Sequence, residues 1–100
     1  MKRVMVTYKV KPEAVAENEA LVRAVYEELR QTQPEDMRYA TFKLEDGVTF
    51  VHLHSRDGEN AVTQLVSFKA FQQGIAERCD EGPSNSELTE IGSYRFDTES

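Results

Sequence analysis

Asp46-Gly47 lies between two runs of alternating residues, Met37 to Glu45 and Val48 to Ser55. An Asp-Gly pair flanked in this way is a strong hairpin signal, because tight hairpin turns need φ > 0 and glycine takes it without a Cβ clash. A two-residue loop with both turn residues at φ > 0 also sets a register. Leu44 falls opposite Thr49, Phe42 opposite Val51, Ala40 opposite Leu53 and Tyr39 opposite His54. Side chains alternate across a strand, so this pairing sorts them into two faces. One face carries Leu44, Phe42, Ala40, Thr49, Val51 and Leu53, and is almost wholly apolar. It is expected to face the core. The other carries Met37, Tyr39, Thr41, Lys43, Phe50, His52 and His54, with both histidines of the protein among them. It is expected to be left open.

The flanking segments decide what the hairpin packs against. Arg3 to Val10 alternates Val4, Val6, Tyr8 and Val10 against Arg3, Met5, Thr7 and Lys9, which predicts a strand. Pro12 then suits the first turn of a helix, where its missing N–H costs nothing. From Glu13 to about Gln33, Ala14, Asn18, Leu21, Val22, Val25 and Leu29 recur at three- and four-residue steps, predicting an amphipathic helix that Pro34 stops. Asn18 is the polar exception on that stripe. Arg56 to Asn60 reads as a turn, and Ala61 to Val66 as one or two helical turns. A second helix is predicted from Ser67 to a stop at Gly82-Pro83, with Phe68, Phe71, Ile75 and Cys79 on one stripe and Gly74 as its weak point. Leu88 to Phe96 is predicted as the last strand, with Gly92 at a bulge. Tyr8 and Tyr94 are expected to be core aromatics with a wet hydroxyl. The tail Asp97 to Ser100 is expected to fray.

The predicted order β-α-β-β-α-β, with short connections and right-handed crossovers, leads to an α+β fold. It is the ferredoxin-like split βαβ sandwich, a four-stranded antiparallel sheet in order 4-1-3-2 with both helices on one face. One hundred residues make a single domain, 1–100, ordered over about residues 2–96. Twelve basic residues against eighteen acidic ones, with no basic run, argue against nucleic acid and anionic membrane surfaces. No apolar run approaches a membrane span and no signal peptide is visible, so a cytoplasmic protein is expected. The single Cys79 cannot form an internal disulfide, which fits a reducing compartment; it is expected as a buried small hydrophobe. No Cys pair or Cys/His cluster is present, and no metal site is expected.

The chemistry-bearing residues gather on the face expected to be open. Met5, Thr7, Tyr39, Thr41, Phe50, His52 and His54 would lie there together, which is more than a solvated face needs and fits a binding or oligomer surface. His52 and His54, at i and i+2 on one strand, would stand roughly 7 Å apart. They could donate hydrogen bonds or act as a general base, and Tyr39 opposite His54 could orient an acidic phenol or enol. The plainer reading is a satisfied pair in an interface and an ordinary aromatic cross-strand contact. A second copy laid sheet to sheet would cover the face and enclose a pocket.

The strand running into Val10-Lys11-Pro12, the Arg38-Tyr39 start of the second strand, the Asp-Gly hairpin and Phe68-Lys69-Ala70-Phe71 resemble the dimeric α/β-barrel superfamily. Within it they resemble the antibiotic-biosynthesis-monooxygenase-like domains. Phe71 to Ile75 and Glu77 to Cys79 are similar to a small uncharacterised bacterial branch of these domains. The resemblance implies a homodimer joined through the open sheet face and a cavity for a small organic molecule. It also implies, for some members, oxygenation of aromatic substrates with no cofactor or metal. The haem-degrading branch would bring a helical His and a Trp, and this chain has neither. The function expected is a small dimeric barrel binding a small organic molecule, a cofactor-independent monooxygenase-like oxidoreductase. The expected catalytic residues are His52, His54 and Tyr39, and the expected ligand-binding residues are Thr7, Met5, Thr41 and Phe50. The alternative is a non-catalytic dimeric binding or interaction domain.

Overall fold

The computed structural model describes residues 2–58 and 61–96. Strand β1 (Lys2–Val10) leads through a 3₁₀ turn at Pro12–Ala14 into helix α1 (Val15–Thr32). The hairpin follows as β2 (Met37–Lys43) and β3 (Thr49–Arg56). A 3₁₀ turn at Ala61–Gln64, helix α2 (Val66–Gln72), the short helix α3 (Ile75–Arg78) and β4 (Cys79–Leu88) complete the chain. The sheet order is β2-β3-β1-β4, all antiparallel, with the helices on one face. This is the expected ferredoxin-like arrangement. No helix among the described residues is long and apolar enough to cross a membrane. The expected fraying of Asp97 to Ser100, and Glu59 and Asn60 of the expected turn, lie outside the described residues.

The hairpin register is the expected one, Tyr39 opposite His54 and Phe42 opposite Val51. The turn differs. Leu44 N–H donates to Thr49 O and Gly47 N–H to Leu44 O, so four residues form the loop. Only Gly47 takes φ > 0, at +79°. Asp46 contributes as an acceptor instead: its Oδ1 takes the N–H groups of Val48 and Thr49, and its Oδ2 takes the Thr49 hydroxyl. Such side-chain acceptance of nearby N–H groups is what favours Asp in turns.

The apolar side of β1 faces the core as expected, but the two faces of the β2–β3 hairpin are exchanged relative to expectation. In the β1–β3 ladder Val4 pairs with His54, Val6 with His52 and Tyr8 with Phe50. Directly paired residues share a face, so the apolar side of β1 continues into the histidine side of β3. The helices cover that side. Tyr8, Val10, Phe50 and His52 are buried there against Val22, Val25, Leu65 and Phe71. The side left open carries Met5, Thr7, Ala40, Phe42, Val51 and Leu53. It is the more apolar face of the hairpin, and Phe42 is half exposed on it.

Sequence patterning also misplaces the C-terminal part. The last strand is Cys79–Leu88, not Leu88 to Phe96. Its ladder with β1 shifts register between Thr7 and Val10, opposite Gly82-Pro83, so the irregularity lies there and not at Gly92. Proline is tolerated because β4 is an edge strand whose missing N–H costs no ladder bond. Beyond it, Ile91, Tyr94 and Phe96 are exposed, so Tyr94 is not a core aromatic. The single second helix is broken in two: Gln73 closes α2, and Gly74 at φ +78° reverses the chain into α3. Cys79 is buried, as expected, but as the first residue of β4.

Candidate functional site

Below the helices a chain of hydrogen bonds crosses the core from α3 to β2. Arg78 Nε donates to Asn18 Oδ1 at 3.2 Å, and Asn18 Nδ2 donates to Tyr8 Oη at 3.0 Å. Tyr8 Oη lies 2.8 Å from His52 Nε2. On the far side of the ring, His52 Nδ1 meets Tyr39 Oη at 2.7 Å and Thr41 Oγ1 at 3.2 Å. Thr41 Oγ1 also bonds Tyr26 Oη at 2.7 Å. Asn18 is fully buried, and His52 and Arg78 nearly so. Burying polar groups is tolerable only when each finds a partner, and this chain supplies one at every link.

Each element contributes by its own periodicity. Tyr8 and His52 alternate inward from adjacent strands, where Val6 opposite His52 leaves Tyr8 one step along. Asn18 sits on the buried stripe of α1 with Ala14, Val22 and Val25. Arg78 ends α3, where its Nη1 and Nη2 donate to Gln73 O and Phe71 O, carbonyls freed by the break at Gly74. Its guanidinium also lies 5.4 Å from the Phe71 ring centre. A cation there is favoured, since the C-terminal end of α2 carries partial negative charge.

Burial sets the protonation states. It pulls the His52 pKa down to about 4, so the ring is neutral at neutral pH. It pushes the Tyr8 hydroxyl up to about 12, opposed by the hydrogen bond from Asn18. It raises Tyr39 and Tyr26 in the same direction. The phenols are therefore protonated donors, and Arg78 is the chain's single charge.

The β2 end of this chain reaches the surface between α1 and β2. The Tyr26–Thr41 hydrogen bond forms a bar there, with Tyr26 stacked on Tyr39. On one side lies a cleft of about 230 Å³ lined by Tyr26, Leu29, Met37 and Tyr39. On the other lies a larger one of about 420 Å³, lined by Thr41, Val22, Phe42 and Lys43 and floored by Phe50. At its rim Lys43 pairs with Glu19 of α1.

Of the residues expected to share a site, the structure brings together Tyr39, Thr41, Phe50 and His52. His54 is adjacent, its ring edge-on to Tyr39, with Nε2 buried and unpartnered among the described residues. Burial lowers its pKa as well. Met5 and Thr7 do not join them. Paired with Leu53 and Val51, they lie on the opposite side of the sheet, because the β1–β3 register puts the odd residues of both strands there. His52 itself is sealed from solvent rather than displayed on an open face. Sequence reasoning missed Tyr26, Arg78 and the central place of Tyr8. Asn18 was the available signal, since a polar residue on a buried stripe requires a partner.

No protein-family model and no curated protein matches the sequence. Solved structures do match. A putative antibiotic biosynthesis monooxygenase from Nitrosomonas europaea is 16% identical, with a TM-score of 0.76, over 92% of this chain and 100% of that one. A second antibiotic biosynthesis monooxygenase is 20% identical, with a TM-score of 0.73, over the same shares. SnoaB, a cofactor-independent oxygenase from Streptomyces nogalater, is 13% identical, with a TM-score of 0.68, over 95% of this chain and 97% of that one. Along nearly its whole length, this chain has the ferredoxin-like fold of the antibiotic-biosynthesis-monooxygenase structures.

Proposed function

We propose that this domain is a cytoplasmic homodimer that binds a small aromatic phenol or enolisable ketone in the α1–β2 clefts, and that it acts as a cofactor-independent monooxygenase-like enzyme. The observation that carries this reading is the meeting of Tyr39 and Thr41, both held by His52, with clefts that carry Leu29 and Met37 on one side and Val22 and Phe50 on the other, beside the charged Arg30, Arg23, Lys43 and Glu19. A ligand site is typically apolar with a few placed polar groups. Oxidation without a cofactor requires the substrate's own anion to react with oxygen, so the protein's part is to hold and desolvate that anion. With its pKa near 4, His52 is a poor base at neutral pH. Its role is to position Tyr39 and Thr41, which touch the ligand.

The fold shared with monooxygenases supports this reading only at the level of architecture. The competing reading, a non-catalytic dimerisation domain, draws on the fact that both His52 nitrogens are satisfied internally, as a purely structural histidine's would be. Titration separates them. Anthrone and 1-naphthol, added to labelled protein, should shift the Thr41 methyl and Tyr39 ring resonances, and Tyr39→Phe should weaken binding about five- to tenfold, the value of one hydrogen bond. Shifts confined to Val51 and Leu53, or none at all, would remove the clefts as the site. Oxygen uptake in the presence of a bound ketone tests turnover.

A further inference from the structure

We infer that Arg78 and Asn18 are positioning residues that, acting through Tyr8, hold His52 in the Nδ1–H tautomer. Tyr39 is thereby made to offer its hydroxyl proton, not a lone pair, to the occupant of the cleft. The inference rests on the ligand site proposed above for its functional meaning, but its structural part stands alone.

The polarity starts at Arg78, because a guanidinium has donors only. Arg78 Nε donates to Asn18 at 3.2 Å, so the amide oxygen faces it and the amide nitrogen faces Tyr8. Asn18 Nδ2 then donates to Tyr8 Oη at 3.0 Å. The Tyr8 proton is left to go to His52 Nε2 at 2.8 Å. A neutral imidazole has one N–H, and with Nε2 accepting it must be on Nδ1. Nδ1–H donates to Tyr39 Oη, the nearer of its two neighbours. With its lone pair engaged by His52, Tyr39 has its own proton left for another acceptor, either its second neighbour Thr41 or an occupant of the cleft that Tyr39 lines. The opposite tautomer would put two protons between Tyr8 and His52 or leave the Tyr8 proton unpaired in the core, which a buried hydroxyl does not tolerate.

Arg78 also holds the C-terminal carbonyls of α2, but it does so with Nη1 and Nη2. The contact to Asn18 uses Nε alone. Capping therefore does not account for it. The ligand chemistry that follows is an oxygen acceptor: a carbonyl, phenolate or enolate.

The tautomer can be read directly from long-range ¹H–¹⁵N correlation spectra of the imidazole ring. In the wild-type protein His52 should show a protonated Nδ1 and an unprotonated Nε2. Asn18→Asp replaces the amide donor with an acceptor that still pairs with Arg78. The Tyr8 proton then turns to residue 18, and His52 should invert to Nε2–H. Wild-type His52 with Nε2–H, or an Asn18→Asp protein with the wild-type tautomer, overturns the inference. If Asn18→Asp does not fold, Tyr8→Phe serves: both tautomers should be populated, and a pure Nδ1–H state would show that Tyr39 and Thr41 alone set it. Should the tautomer invert as expected while neither anthrone nor 1-naphthol binds the wild-type protein, the ligand site fails and the relay stands.

Discussion

His52 carries a neutral ring in a place where a charged one would be costly, and acid must therefore act against the fold. Burial lowers its pKa from 6.5 to about 4. Between those values the unfolded chain binds more protons than the folded one, so stability falls as pH falls. The contribution is complete above about pH 6.5 and is lost as pH drops through about 4. A shift of this size corresponds to roughly 3 kcal/mol. His54 adds a slope of the same sign. Urea denaturation at pH 7 and pH 4 should show the loss, and His52→Gln should flatten it. An equal slope in that variant would show that carboxylates alone produce it. At this scale much was legible. Asn18 stood out as a polar residue on an apolar stripe, and Tyr39 and His52 were visible as candidates. Their partner Arg78 was hidden, because a charged residue at a helix end ordinarily faces water.

The elements show where local pattern suffices and where it does not. The Asp46-Gly47 signal placed the β2–β3 register correctly, since a short loop ties the two strands together. No such tie joins β1 to β3. Helix α1 and β2 intervene, so the parity that matches Val6 with His52 is set by packing and not by a turn. Choosing the more apolar hairpin face as the core therefore inverted the hairpin relative to β1, whose own facing was as expected. β4 escaped notice for another reason. CDEGPSNSEL has no apolar alternation, and its residues beyond Cys79 are exposed up to the half-buried Leu88, so only its ladder with β1 makes it a strand. The α2–α3 break depends on one backbone conformation. At Gly74, φ is +78° and a Cβ would meet only side-chain atoms at ordinary contact distance. Gly74→Ala should thus cost about 1–2 kcal/mol from the left-handed backbone, with no added clash. Chemical denaturation would measure it, and a neutral effect would mean that the two helices can merge.

At the scale of the whole molecule, the sheet has apolar side chains on both faces, and the chain's own helices cover only one. Met5, Val51, Leu53 and Phe42 remain on the other, and a patch of that kind marks an association surface. Sedimentation at micromolar concentration should show a dimer. Leu53→Glu should give a folded monomer, because the added charge falls on the face that the helices do not touch. A wild-type monomer would leave this face without its proposed occupant. Within one subunit the clefts lie between α1 and β2, apart from any cavity that two copies of the sheet would enclose.

The sheet then works as a partition. The proposed association surface and the proposed ligand clefts lie on opposite sides of it, and Phe42 of the edge strand β2 is the one described residue named on both. Mass action gives this separation a measurable meaning, since a ligand shifts an assembly equilibrium only if it binds the two forms differently. Ligand affinity should stay constant as the protein is diluted through dissociation, and saturating ligand should leave the dimer's dissociation constant unchanged.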